Sequence, residues 1–330
     1  MSGVAVVGVG YWGKNLARNF AQLGALHTLC DGHGPTLERI AAQHKPVRAT
    51  RSYEEVLSDP AIEGVVLATP AALHFEHARA ALAAGKDVFV EKPLALHEAD
   101  GEVLLELARE RGRILMVGHV LEYHPAVRLL TDLVERGELG SLRYVYSNRL
   151  NLGKVRTEEN ILWSFAPHDI SIILSLVGTD PEVVSASGGE YLTRGVPDVT
   201  VSNLAFPGGV RAHIFVSWLH PNKEQRLVVI GDKKMAVFDD TAREGKLKLY
   251  DKGIEQRSGV LVPRQTAETT LFFGETEPLR LECEAFLAAI ADRKPPRTDG
   301  ANGLRVLRVL EACQASLEKG GAPVRLKREL

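Results

Sequence analysis

The stretch Val4-Ala5-Val6-Val7-Gly8-Val9-Gly10-Tyr11-Trp12-Gly13 decides how the first part of this chain folds. Its first four residues are apolar, three of them β-branched, and predict a buried strand. Leu16, Phe20 and Leu23 follow at helical spacing, so the glycines occupy a strand-to-helix turn. Gly8 permits the tight bend, Gly10 lets backbone approach a pyrophosphate, and Gly13 lets the helix pack on the strand. The helix N-terminus adds free N–H groups and the positive end of a dipole, both suited to phosphates. A second predicted strand, residues 25–30, ends in Asp31 with no Arg after it. An acid there accepts the ribose hydroxyls of an adenosine and repels a 2′-phosphate, so NAD rather than NADP is the expected cofactor.

The same grammar continues outward from that turn. Ser52-x-x-Glu55 has the form of a capping box. Gly64-Val65-Val66-Leu67-Ala68 predicts a buried strand that ends at Thr69-Pro70. Residues 73–84 predict a helix stopped by Gly85, and Asp87-Val88-Phe89-Val90 a strand leading into Glu91-Lys92-Pro93. A further helix over 97–111 and a strand over 114–118 complete residues 1–120 as a Rossmann domain with a doubly wound parallel sheet. Residues 121–330 read differently. After helices over 125–135 and 167–177, β-rich runs succeed one another with little helix between, and Pro207-Gly208-Gly209 supplies a hairpin turn. Such a segment predicts an α+β domain with an open, mostly antiparallel sheet. Two helices, over 278–292 and 303–318, close the pattern. Residues 251–277 show no clear periodicity and are expected to form a long loop.

Composition narrows the function classes. The 330 residues suit about two domains of ordinary size. Forty basic against 42 acidic side chains leave a net charge of −2, so nothing global recommends nucleic acid or an anionic membrane as partner. No apolar run approaches the ~20 residues needed to span a bilayer. The chain enters its first strand at once, without room for a signal peptide, and a cytoplasmic location is expected. Cys30, Cys283 and Cys313 form no CxxC and read as small buried hydrophobes.

Two residues stand out for chemistry. Lys92 emerges from a strand at the carboxyl edge of the nucleotide sheet, where ligands of such folds bind, and can stabilise negative charge on a substrate oxygen. A Glu-Lys-Pro seen alone is equally a surface lysine paired with Glu91. His168 follows Pro167, which predicts a helix start, where the dipole disfavours imidazolium and leaves a neutral base. Asp169 or Ser164 is the candidate to orient it, and a capping or core histidine is the plainer alternative. Tyr11, Trp12, Thr69, Pro70, His74 and Glu91, with Gly8, Gly10, Gly13, Asp31 and Lys92, form the expected cofactor set. His74 and His77 share a helix at metal-ligand spacing, but without a third ligand no metal is expected. His119, Tyr123 and His124 cluster where the nucleotide domain ends, the first two as candidate substrate contacts. Arg149-Leu-Asn151-Leu-Gly-Lys154-Val-Arg156 is locally cationic and suits a diphosphate or carboxylate, or else a solvated edge.

Together, Gly8-x-Gly10-x-x-Gly13, Glu91-Lys92-Pro93 and a histidine on a second-domain helix resemble the Gfo/Idh/MocA oxidoreductase family. The resemblance covers essentially the whole chain, including a last strand near 323–326. It implies an NAD enzyme that forms homodimers or homotetramers through its open sheet. It also implies Lys92 and His168 as the catalytic pair, with Asn151, Lys154, Arg156, Ser164 and Asp169 near the substrate. Ser164 stands where the family often has Asp, and Ser171 where an Asp often follows the His. More narrowly, residues 10–15 and 159–169 are similar to the branch that includes UDP-N-acetylglucosamine 3-dehydrogenases. That branch feeds a pyridoxal-phosphate aminotransferase on the way to 2,3-diamino sugars of lipid A or O-antigen. A dehydrogenase or ketoreductase of a free sugar, an inositol, UDP-N-acetylglucosaminuronate or a dTDP-sugar remains open. So does an NAD-binding regulator without catalysis, a reading prompted by Ser164.

Overall fold

The computed structural model describes residues 3–153, 155–157 and 159–326. By contacts the chain divides into two units, residues 1–123 with 276–307, and residues 124–275 with 308–330.

In the first unit the glycine turn joins β1 (Gly3–Val7) to α1 (Gly13–Gln22). There follow β2 (Leu26–Cys30), α2 (Gly34–His44), β3 (Arg48–Thr50), α3 (Tyr53–Ser58), β4 (Ile62–Leu67), α4 (His74–Ala83), β5 (Asp87–Glu91), α5 (Glu98–Glu110) and β6 (Leu115–Gly118). Among the described residues these strands form one parallel sheet in the order β3-β2-β1-β4-β5-β6. Strand order reverses direction between β1 and β4, so the loops leaving those two strands diverge to opposite faces and open a crevice at their carboxyl ends. The expected Rossmann architecture is present. Val4–Val7, Val65–Leu67 and Val88–Val90 are buried, as strands covered by helices on both faces must be. Ser52 caps α3 by accepting from the Glu55 N–H, as the capping box predicts.

The second unit begins with α6 (Pro125–Glu135), β7 (Leu142–Leu150) and α7 (Ile161–Val177). It continues through β8 (Val183–Gly189), β9 (Val199–Ala205), β10 (Arg211–Ser217), β11 (Glu224–Gly231), β12 (Met235–Asp239), β13 (Leu247–Arg257) and β14 (Val260–Leu271). The chain then runs through α8 (Pro278–Asp292) and α9 (Gly300–Glu318) to β15 (Val324–Arg325), and the boundary between units falls inside α9. The described strands of this unit lie in the order β14-β13-β12-β11-β7-β10-β9-β8-β15. All neighbours are antiparallel except β7 and β10. Gly208 and Gly209, both at positive φ, turn β9 into β10. Helix α7 covers one face, where Val145, Ala212, Ile214 and Val216 are buried, while Tyr144, Tyr146, His213 and Phe215 alternate to the other.

Three expectations need correction. Residues 251–277 are not a loop, because most of them belong to the β13–β14 ribbon. From residue 251 on, its described side chains are exposed or half-buried, so no core face imposed the alternation that marks a strand. Helix α7 starts six residues before Pro167, at Ile161, with Asn160 accepting the Trp163 N–H as its cap. The expected second domain, 121–330, included α8, yet α8 packs with the first unit. Its Phe286 meets Phe20 and Phe89 edge-on at centroid distances of 6.4 and 5.6 Å. A Cβ on Gly64 would lie 2.9 Å from Ile290 Cδ1 and 3.0 Å from Phe286 Cε1, so α8 packs closely over β4 at this glycine. Beyond the helix end, Arg293 grips the buried Asp87 carboxylate with two bonds of 2.6 and 2.9 Å.

All three cysteines are buried and free. Among the described residues, no helix is long and apolar enough to cross a membrane. Phe286→Ala should lower the unfolding free energy by about 3–5 kcal/mol through loss of burial and an unfilled cavity. Denaturant titration followed by tryptophan fluorescence measures it. A loss within about 0.5 kcal/mol, the scale of a surface substitution, would place α8 outside the core.

Candidate active site

At the start of α1 the backbone itself makes the site. Gly8 has φ +84°, and a Cβ there would lie 2.7 Å from the Ala68 carbonyl oxygen. On Gly13 a Cβ would fall 1.8 Å from the Gly8 carbonyl oxygen, whereas Gly10 has nothing within 4 Å of that position. Two glycines are thus demanded by close approach and the third leaves an open flank of backbone. Trp12, at the N-cap of α1, gives no side-chain cap, and the Asn15 N–H donates to the Trp12 carbonyl at 2.8 Å. At the end of β2, Asp31 Oδ2 accepts the Val9 N–H at 2.7 Å and Oδ1 the His33 N–H at 2.8 Å. Both bonds fix the carboxylate beside the turn and leave a lone pair on each oxygen. An uncapped helix start, an open Gly10 and an oriented acid fit a dinucleotide.

Lys92 is half-buried and follows β5 directly, with a cis peptide to Pro93. Glu91 Oε1 accepts the Trp12 Nε1–H at 2.5 Å, which links the glycine turn to the β5 exit. Burial pushes the Glu91 carboxyl up to about 7, against the pull of Trp12 and the Lys92 ammonium. His119, 1% exposed, is driven down to about 3 by burial and then by the Lys92 ammonium. Within the first unit the structure therefore brings together the turn, Asp31, Thr69-Pro70, Glu91, Lys92 and His119. Tyr11, 80% exposed, holds the Lys14 ammonium 5.6 Å from its ring centroid. A cleft of about 400 Å³ elsewhere in this unit lies at the amino ends of β4, β5 and β6, bordered by Lys86, Asp87, Gly112 and Arg293. It is on the edge of the sheet opposite the glycine turn.

Two expected contacts belong to other work. His74 is 1% exposed and both ring nitrogens face backbone carbonyls, Nδ1 at 2.7 Å from Pro93 and Nε2 at 2.9 Å from Thr69. Its polar atoms are engaged by the protein, so it is not a cofactor ligand. The Tyr123 ring is in the core, and its hydroxyl lies 3.1 Å from Thr298 Oγ1. It is not a substrate contact. His124 caps α6 by accepting the Ala126 N–H.

In the second unit His168 lies in the middle of α7, half-buried, not at a helix start. The expected benefit of the dipole is therefore absent, since that effect is confined to the first turn. Ser164, buried, is four residues earlier and hence on the same helix face. Asp169 is tied to β7. Its carboxylate, 2% exposed, accepts Arg149 Nε at 2.8 Å, Arg149 Nη2 at 3.0 Å and Ser147 Oγ at 2.6 Å. These bonds engage both of its oxygens with β7. Arg156 pairs with Glu159, so two of the three cations in the expected anion site already have carboxylate partners. Asn151 is half-buried and its N–H donates to the Ser217 carbonyl. Lys154 lies outside the described residues.

Sequence reasoning missed Glu282. This fully buried acid on α8 is raised well above the ordinary carboxyl range by burial and by Glu91. No local signal marks it, because only the packing of α8 on the first unit brings it near Glu91.

Comparison with known proteins agrees with these elements. Residues 2–119 match the profile of an oxidoreductase family with an NAD-binding Rossmann fold, Gfo/Idh/MocA, and residues 127–237 match the C-terminal domain of the same family. A UDP-N-acetylglucosamine 3-dehydrogenase from Acidithiobacillus ferrooxidans is 28% identical over 92% of this chain and 93% of its own length. A solved structure of that enzyme superposes with a TM-score of 0.85, covering 96% of this chain and 97% of the other. A suspected oxidoreductase from Magnetospirillum magnetotacticum is 32% identical, with a TM-score of 0.82 and coverage of 94% and 99%. Levoglucosan dehydrogenase in complex with NADH, 20% identical, shares the fold at a TM-score of 0.86 over 99% of this chain and all of the other.

Two measurements check the electrostatics. Arg149→Met should cost about 3–5 kcal/mol in urea unfolding because it strands the buried Asp169 carboxylate, and adding Asp169→Leu should restore much of the loss. No restoration would mean the pair is not the anchor. His119 takes its proton near 6.5 when unfolded and only near 3 when folded, so its contribution to stability is lost as pH falls from about 6.5 toward 3. Its ring NMR shifts should stay constant between about pH 5 and 8, a window in which an ordinary histidine titrates. A midpoint inside that window contradicts its burial beside Lys92.

Proposed function

We propose that this chain, which belongs to the Gfo/Idh/MocA oxidoreductase family, is an NAD-dependent dehydrogenase of the C3 hydroxyl of a UDP-sugar, with UDP-N-acetylglucosamine as first candidate. What carries the reading is the likeness to a UDP-N-acetylglucosamine 3-dehydrogenase, which runs through both units rather than the nucleotide unit alone. NAD, held by the open backbone at Gly10, the start of α1 and Asp31, supplies the acceptor for the electron pair of the broken C–H bond. The protein's own groups handle the proton and the charge. His168 takes the hydroxyl proton, with Ser164 on the same helix face as its orienting neighbour. Lys92 donates to the same oxygen and stabilises its alkoxide character. Arg149 and Arg156 are already paired, so recognition of a diphosphate does not rest on those two alone. Asp31 favours NAD over NADP by charge. The keto product is set up for transamination, so a pyridoxal-phosphate aminotransferase would act next, toward 2,3-diamino sugars of lipid A or O-antigen.

The direct test follows NADH formation with UDP-N-acetylglucosamine against its uronate, free N-acetylglucosamine and inositol. Turnover with the nucleotide sugar alone supports the proposal, and turnover confined to free polyols overturns the substrate. Lys92→Ala and His168→Ala should each lower turnover by roughly 10²–10⁴-fold while NADH still binds. Near-normal rates in either variant remove that residue from the chemistry. Asp31→Ser should shift the cofactor preference toward NADP, and an unchanged preference would remove Asp31 from nucleotide selection.

A further inference from the structure

Lys92 is fastened through the residues on both sides of it. Upstream, Glu91 is bonded to Trp12 in the glycine turn. Downstream, the carbonyl of Pro93 meets Nδ1 of the buried His74, whose Nε2 meets the carbonyl of Thr69 at the β4 exit. Three loops at the carboxyl edge of the sheet, those leaving β1, β4 and β5, are therefore joined by side chains that converge on the residues flanking one lysine. Burial lowers the basicity of His74, which favours the neutral ring with one N–H, and a proton on Nδ1 makes the contact with Pro93 a hydrogen bond.

We propose that His74 and Glu91 are positioning residues for Lys92. They tie the β5 exit to the β4 exit and, through Trp12, to the glycine turn, so that a dinucleotide settled on that turn fixes the lysine in place. The inference rests on Lys92 acting at the nucleotide site. It assigns to His74 a task distinct from holding the cofactor, and to Trp12 a second one besides lining the turn. Removing a tie leaves the ammonium in the protein but lets it wander. A misplacement of about 1 Å in a reacting group can cost on the order of 10²-fold in rate. Such a loss falls on kcat, while the KM for NAD, set by Gly10, the α1 start and Asp31, stays near its original value.

The test needs no sugar substrate, so its outcome is separable from that of the proposed activity. Reductive methylation of Lys92, read by peptide mass spectrometry with and without saturating NADH, reports whether the lysine is held at the nucleotide site. In the unaltered protein NADH should slow Lys92 methylation several-fold. His74→Phe, which keeps a ring and removes both ring nitrogens, should lose that protection while NADH still binds by fluorescence titration. His74→Gln, whose amide carries two N–H donors, should retain it. Trp12→Phe removes only the indole donor from an accessible turn, which guards against a His74 variant that does not fold, and should weaken protection as well. Equal protection in the unaltered protein and in Trp12→Phe or a folded His74→Phe overturns the proposal. So does an absence of protection in the unaltered protein.

Discussion

The first unit depends on one close approach. At the reversal of strand order, the turn leaving β1 passes so near the strand end of β4 that a Cβ on Gly8 would overlap the Ala68 carbonyl. This contact sets the exit direction of α1, and a Cβ on Gly13 would in turn collide with Gly8. With both positions closed to side chains, the backbone at the helix start keeps an open flank at Gly10, an arrangement suited to an anion. That opening follows from backbone sterics before any charged side chain is counted. Asp31 adds a fixed negative charge, because the two amides that hold its carboxylate keep it beside the same turn.

Around Lys92 the protein gathers groups that would each be costly alone. Glu282 is fully buried and disposed to keep its proton, Glu91 is pushed up to about 7, and His119 is held neutral. Two acids that cannot easily both ionise and an imidazole that does not charge leave the lysine as the dominant positive group of its neighbourhood. Desolvation strengthens that charge, since one in a partly dry site acts more strongly on its surroundings than one in water.

How much of this was legible in sequence follows from which elements have a buried face. The Rossmann strands are covered on both sides, so they read as apolar runs, and the glycines beside them mark turns with a steric reason. Gly-x-Gly-x-x-Gly, Asp31 and Lys92 could be found for that cause. The β13–β14 ribbon was illegible because its residues face no core, and the run Ile161–Ala166 was overlooked because Pro167 looked like a first turn. Proline within a helix removes one N–H and crowds the preceding turn, a penalty near 3 kcal/mol that local propensity counts heavily. Here the apolar residues Ile161, Leu162, Ala166, Ile170 and Ile173 are all buried, and that burial outweighs the penalty. Glu282 and the Arg149–Asp169 pair depend on tertiary contacts between distant segments, which no local pattern records.

That pair also explains how His168 is presented. Ser147 and Arg149, two residues apart on β7, lie on one face of a strand whose period is two, and both reach Asp169 on α7. A carboxylate tied to a strand at two points fixes the rotation of its helix as well as its height. Consecutive helical residues diverge by about 100°, so pinning Asp169 toward β7 turns His168 onto an adjacent face, in line with Ser164 one turn earlier. The acid next to the histidine thus acts through geometry. A buried ion pair contributes little net stability when compared with an apolar pair of similar volume, so its presence here is better accounted for by the orientation it imposes.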